Sequence, residues 1–196
     1  MAHTFSLSDR RCNREILIAA TLVGSWLGMQ AVHELGHVLG AWWTGGQVLR
    51  VVLHPLSISL TDLSHNPAPA VVVWAGPLVG ILLPLWTWAL AALVRIPGAF
   101  VLRFFAGFCL VANGLYIGLG SFARVGDYGE MLRHGSQPWQ LWLFGLLTVP
   151  VGFWLWHGQG THFGLGPSAV PVSRGVAYSS LAVCVALVIL GLSVGR

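Results

Sequence analysis

Residues 16–43 form the apolar run ILIAATLVGSWLGMQAVHELGHVLGAWW, whose single charged residue and two histidines all fall within HELGH, His33 to His37. At 1.5 Å per residue, a helix over this run is about 42 Å long, enough to cross a membrane with tilt. The Thr-Gly-Gly sequence at 44–46 predicts its end. The run therefore predicts a first membrane-spanning helix with a polar cluster toward its C-terminal end, inside the bilayer.

The rest of the chain is equally apolar. Of its 196 residues, 56% are hydrophobic and 8% are charged, against roughly 25% charged in an ordinary soluble domain. Further stretches long enough to span a bilayer lie at 69–94, 98–120, 139–157 and 174–195. We therefore predict an all-α polytopic membrane protein with about five transmembrane helices in a single domain over 1–196, located in the cell membrane.

The segment between the first two predicted helices is too short and too polar to span a bilayer. Apolar and hydroxyl residues alternate from Leu56 to Thr61, which is the period-two pattern of a strand. Pro55 would confine this strand to a sheet edge or a bend. We predict a short membrane-associated β-strand or hairpin here.

Charged residues and cysteines exclude several other classes of protein. The net charge of +4 comes from ten arginines at segment ends, so no stripe for binding nucleic acid is present and the lipid bilayer is the expected partner. The cysteines are far apart in sequence, so neither a disulfide framework nor a cysteine metal site is predicted. The sequence specifies no oligomeric state.

The HELGH stretch has the spacing of a zinc site. On a helix, His33 and His37 project from one face about one turn apart, which lets two imidazoles bind one zinc ion. Glu34 lies beside them, where it can act as general base toward water. An unpaired glutamate in hydrocarbon costs a few kcal/mol. The sequence therefore predicts a metal site with access to water rather than a packed polar cluster.

A catalytic zinc normally takes three protein ligands and leaves one position open. We favour Asp127 as the third ligand, because it follows an apolar helix in the glycine-framed turn Gly126-Asp127-Tyr128-Gly129. Glu130 is the rival, and either acid could instead stabilise the start of a helix through the helix dipole. Asp62 is a further acid in a loop or at a helix end, and His54 and His65 are other possible ligands.

These motifs resemble the site-2 protease family of intramembrane zinc metallopeptidases. HELGH in a membrane helix, AGPLVG (75–80) in the next helix, and an asparagine before an Asp-x-Gly turn carry the resemblance. It covers about residues 16–135, the predicted metalloprotease core. Residues 139–195 would be two additional transmembrane helices.

The resemblance implies one zinc ion held by His33, His37 and Asp127, with Glu34 as the general base. It implies that Asn113 orients the substrate or stabilises the developing oxyanion. It also implies that the alternating segment is a membrane-associated strand whose edge pairs with the substrate. In the family the zinc lies nearer the cytosol, which puts the N terminus outside, whereas the arginines before residue 16 favour the N terminus inside. Both orientations stay open.

We therefore predict an intramembrane zinc metalloprotease that hydrolyses transmembrane or membrane-associated proteins. A substrate helix must first unwind, because its carbonyl groups are occupied by its own hydrogen bonds. The alternative is a non-proteolytic membrane protein that uses the same residues as a metal-binding or proton-relay element. Bound zinc with an open coordination position would favour the protease, and pH-driven ion flux without metal would favour the relay.

Overall fold

The computed structural model describes residues 7–123 and 125–194. Within these ranges the chain forms six α-helices and one antiparallel hairpin of two strands, which confirms the predicted fold class. In chain order, the elements are α1 (Leu7–Trp43), β1 (Gln47–Val52), β2 (Leu60–His65), α2 (Pro69–Leu93), α3 (Ala99–Gly120), α4 (Gly126–Arg133), α5 (Pro138–Trp156) and α6 (Arg174–Val194).

Of the described helices, α1, α2, α3, α5 and α6 are long and apolar enough to cross a bilayer. The chain is thus a multi-pass membrane protein. The bounds of α2, α3, α5 and α6 lie close to the predicted stretches, whereas α4 is not predicted as a helix and α1 begins at Leu7 rather than at residue 16. Its first turns are polar and still helical, with Arg11 and Glu15 paired one turn apart at 2.9 Å.

The hairpin follows α1, but its strands are not where the residue pattern placed them. The predicted strand at 56–61 is wrong, because only Leu60 and Thr61 belong to β2. The segment before them turns instead, with the Ser57 backbone N–H donating to the His54 carbonyl oxygen at 3.0 Å. Pro55 lies inside this turn and has no N–H to give to a strand partner.

Helices α1 and α2 pack backbone to backbone. Gly36 lies against the backbone of Ala75 and Gly76, and Gly40 lies against Ala75 and Val72. A side chain at either glycine would collide with α2, so the small residues set how close the two helices come. This close packing brings the start of α2 beside HELGH.

The two additional helices predicted within 139–195 flank the helices that carry the site. Helix α5 packs against α3 where Gly118 meets Gly145, and α6 runs along α1 with Cys184 against Gly24. At its far end, α6 places Gly191 against the carbonyl oxygen of Leu53, in the loop between β1 and β2. Helix α6 therefore supports the loop between the two strands of the hairpin.

Candidate metal centre

The two histidines of HELGH lie where their spacing predicts, on one face of α1. Both are buried, each with 7% of its surface exposed. Their Nε2 atoms are 3.1 Å apart, and their rings meet edge to face. At 1.5 Å per residue they lie roughly 9 to 15 Å from the end of α1 at Trp43, within the depth of the apolar helices.

Asp127 approaches the same two nitrogens from the first turn of α4. Its Oδ2 is 2.7 Å from Nε2 of His33 and 3.4 Å from Nε2 of His37. Gly126 enters the helix with a φ of 67°, a backbone conformation that favours glycine. The Asp127 backbone N–H donates to the Tyr116 hydroxyl of α3 at 3.3 Å, which fixes the turn against the membrane helices.

Hydrogen bonds on the far side of each ring set the form of both imidazoles. Nδ1 of His37 donates to the carbonyl oxygen of Val72 at 2.9 Å, because a carbonyl can only accept. The amide nitrogen of Asn113 donates to the Cys109 carbonyl at 2.9 Å, so its Oδ1 faces His33 and accepts from Nδ1 at 2.7 Å. When the rings are neutral, both Nε2 atoms therefore direct lone pairs toward Asp127.

Two imidazole lone pairs and a carboxylate oxygen thus converge, with all three atoms within 4.8 Å of one another. Such acceptors repel one another unless a cation lies between them. Ligands of a tetrahedral zinc at 2.0 to 2.1 Å are separated by roughly 3.3 Å, close to the observed spacing. Two nitrogens and one oxygen, with each ring fixed by a second hydrogen bond, are a suitable zinc donor set.

The carboxyl group of Asp127 is in the form that binds metal. Burial alone would raise the pKa of Asp127, but a proton on Nε2 of His33 or His37, donated to the carboxylate in place of a cation, outweighs burial and holds the pKa below its usual range. Asp127 is therefore an anion, as a metal ligand must be.

The rival ligands lie elsewhere. Within 7–123 and 125–194, the group of side chains able to share one ion comprises His33, His37 and Asp127. Glu130 forms an ion pair with Arg133 and lies 3.5 Å from Nε2 of His134. Asp62 pairs with Arg50 across the hairpin at 2.6 Å. His54 and His65 belong to the hairpin, outside the group of three.

Glu34 lies beside the three candidate ligands and is tied to the hairpin. Its side chain is buried, with 3% of its surface exposed. The Thr61 hydroxyl, on β2, donates to Oε2 of Glu34 at 2.7 Å. One carboxylate oxygen is thus held by the hairpin, which fixes how the group faces the cavity.

The AGPLVG segment of α2 makes room for the site. Gly76 lies against the His37 ring, and Gly80, one turn later, lies against the side-chain amide of Asn113. A β-carbon at Gly76 would collide with the imidazole. These two glycines therefore allow the ligand and the asparagine to occupy the α1–α2–α3 interface.

A cavity of about 1180 Å³ opens onto these groups. Its walls are α1, the hairpin, and the facing parts of α2, α3 and α4. Asp62, Asn66, Glu130 and His134 are among its lining residues, so part of the cavity wall is polar. Trp26 and Met29 line its inner end.

Several residues that contribute to the site could not be predicted from the sequence patterns. Val72 acts through its backbone carbonyl, which any residue would supply. Thr61 belongs to the alternating segment, but period-two alternation does not show that its hydroxyl reaches α1. Tyr116 is the nearest to a detectable signal, because a phenol at the end of an apolar helix usually has a hydrogen-bond partner.

The sequence matches no protein-family model and no curated protein, and the structure matches no solved structure. The side-chain geometry therefore carries the functional interpretation.

Proposed function

We propose that this protein is an intramembrane zinc metalloprotease that cleaves transmembrane or membrane-associated proteins. The convergence of two imidazole nitrogens and the Asp127 carboxylate beside a buried glutamate carries the proposal. The resemblance of HELGH and AGPLVG to the site-2 protease family supports it. The proposal includes a location in the cell membrane, which fractionation of cells expressing the tagged protein tests.

His33, His37 and Asp127 would hold the ion. When bound there, zinc supplies Lewis-acid activation of water and of the scissile carbonyl group. Glu34 removes a proton from the attacking water and later delivers it to the leaving amine. Asn113 and the Val72 carbonyl hold the two rings in the tautomer that leaves Nε2 free. Asp127 and Glu34 thus have separate roles, one as a ligand and the other as the base.

The substrate must present an extended segment to this cavity. A transmembrane helix occupies its own carbonyl groups, so it unwinds before a peptide bond reaches Glu34. Helix-breaking residues near the cleavage point should therefore favour cleavage. The cavity is large enough for such a segment, since ligand pockets commonly measure about 300 to 1,000 Å³.

The direct test uses the purified chain in lipid vesicles. A leucine-rich transmembrane peptide of about 20 residues with a central Gly-Pro pair is the probe, and the same peptide without the pair is the control. We expect one zinc per chain, cleavage of the first peptide, slower cleavage of the second, and loss of cleavage with a chelator. Ion flux driven by pH with no bound metal would instead support the relay.

Asn113→Leu is expected to weaken zinc binding by roughly 10- to 100-fold, because it removes the acceptor that orients His33. Competition with a coloured chelator measures the affinity. Thr148→Val is the matched control, since Thr148 is also buried but its hydroxyl donates to the Phe144 carbonyl, away from the ligands. Unchanged zinc affinity with slower cleavage would assign Asn113 to the substrate instead, the role that the family resemblance implies.

Thr61→Val is expected to slow cleavage roughly 10-fold without altering zinc content, because a hydrogen bond to a charged group is lost. Thr61→Ser should restore most of the rate, since it returns the hydroxyl. Ser64→Ala, on the same strand but bonded to the Gln47 carbonyl, is the control for changes in the hairpin. A rate for Thr61→Val equal to that of the control would contradict a role in holding Glu34.

A further inference from the structure

Gln30 is a polar residue of α1 to which the mechanism above gives no part. It precedes His33 and Glu34 by one turn and lies on the same face of the helix. It lines the cavity, and 9% of its surface is exposed. Its side-chain amide forms no hydrogen bond with any residue that the structure describes.

A membrane helix normally pairs such an amide with a neighbouring helix. Asn113 and Gln159 each make at least one side-chain hydrogen bond, whereas the side chains of Gln30 and Asn13 make none with the described residues, and of these two only Gln30 lines the cavity. Asn113 is bonded to His33 and to the Cys109 carbonyl, and Gln159 donates to the Leu155 carbonyl at 2.8 Å. The NH₂ donor and the carbonyl acceptor of the Gln30 side chain are therefore both available to a molecule that enters the cavity. An amide left without a partner in an apolar setting costs free energy, so its position indicates a ligand.

We infer that Gln30 binds the backbone of the unwound substrate segment, an inference that rests on the proposed function. An unwound segment within the membrane exposes N–H and C=O groups that need partners. The Gln30 amide offers the complementary pair, an NH₂ donor and a carbonyl acceptor. It therefore recognises the extended peptide group itself and is indifferent to the side chains of the substrate.

The position of Gln30 also sets which peptide group it binds. The rise from Gln30 to His33 and Glu34 is about 4.5 to 6 Å along the helix. An extended chain covers that distance in about two residues. The bound peptide group is therefore within about two residues of the scissile bond, on the side that lies deeper in the membrane.

The test measures binding rather than turnover. The Gly-Pro transmembrane peptide, labelled with a fluorophore, is titrated into vesicles that contain zinc-loaded Glu34→Gln protein, with and without Gln30→Met. A second series of peptides carries a backbone ester in place of one amide at each position around the Gly-Pro pair, which removes one N–H at a time.

We expect Gln30→Met to weaken peptide binding by roughly 3- to 10-fold, the worth of one or two neutral hydrogen bonds. One ester, within about two residues of the cleavage point, should weaken binding to the Gln30 protein and have no effect on the Gln30→Met protein. Gln159→Met is the matched control, since it removes a buried glutamine outside the cavity. It should leave peptide affinity unchanged.

Equal affinity of the two proteins for the unmodified peptide would overturn the inference. An equal loss for every ester peptide, or a drop in zinc content or melting temperature in Gln30→Met, would overturn it in favour of a structural role. Failure of the wild-type protein to cleave the peptide that it binds would reject the protease but not the contact with Gln30. The two proposals therefore fail on different measurements.

Discussion

Glu34→Gln is expected to keep one zinc per chain and to lose cleavage of the Gly-Pro transmembrane peptide by roughly 10²- to 10⁴-fold, the usual contribution of a general base. Glutamine has nearly the shape of glutamate, and its carbonyl oxygen can still accept the Thr61 hydrogen bond that Oε2 of Glu34 accepts. The variant therefore removes the proton acceptor with little disturbance of the buried site. Zinc analysis of the purified protein, beside initial cleavage rates, measures both quantities.

Glu15→Gln provides the matched control for this change. It makes the same chemical substitution on the same helix, at an exposed residue paired with Arg11. Its zinc content and its cleavage rate should equal those of the wild type. If Glu34→Gln cleaved the peptide at the wild-type rate, and a chelator had no effect, the proposed mechanism would be rejected.

Asp127→Ala is expected to weaken zinc binding by more than the roughly 100-fold that loss of an outer hydrogen-bond partner causes, because it removes a ligand. The Asp127 side chain is 24% exposed, so alanine leaves no closed void in the core. Zinc affinity by chelator competition is the measurement, and a melting curve of the metal-free protein checks the fold.

Glu130→Ala separates the two acids that the sequence leaves as rivals. Glu130 lies one turn from Asp127 on α4 and pairs with Arg133 and His134 rather than with the histidines of α1. We expect its zinc affinity to equal that of the wild type. Normal affinity in Asp127→Ala together with loss in Glu130→Ala would reverse the assignment of the third ligand.

The membrane helices could be predicted closely because a bilayer imposes a length. A stretch such as 98–120 must be apolar for about 20 residues, and α3 spans Ala99–Gly120. The hairpin obeys no such rule. Its pairing depends on Arg50 meeting Asp62 and on the turn at Ser57, whereas the alternation at 56–61 shows only that one segment could be extended.

The residues of the site also differ in how far the sequence could predict their positions. The i, i+4 spacing of His33 and His37 fixes their relation within one helix, whatever packs around it. The approach of Asp127 depends instead on how α4 packs against α1, so the glycine-framed turn around Asp127 favours it as a ligand but does not show which side chains it reaches. Helical spacing also places Gln30 on the same face as His33, Glu34 and His37, but the sequence analysis does not single it out, because its role depends on the cavity that it lines.

The contact between Gly191 and the Leu53 carbonyl has a consequence for biosynthesis. The ribosome completes the hairpin long before it reaches α6, whose end supports the loop between the two strands. Until α6 enters the bilayer, Thr61 is carried on a hairpin without that support, although α1, α3 and α4 have already been made. The newly made chain therefore passes through a stage in which every candidate ligand has been made and the loop between the two strands still lacks its contact with α6.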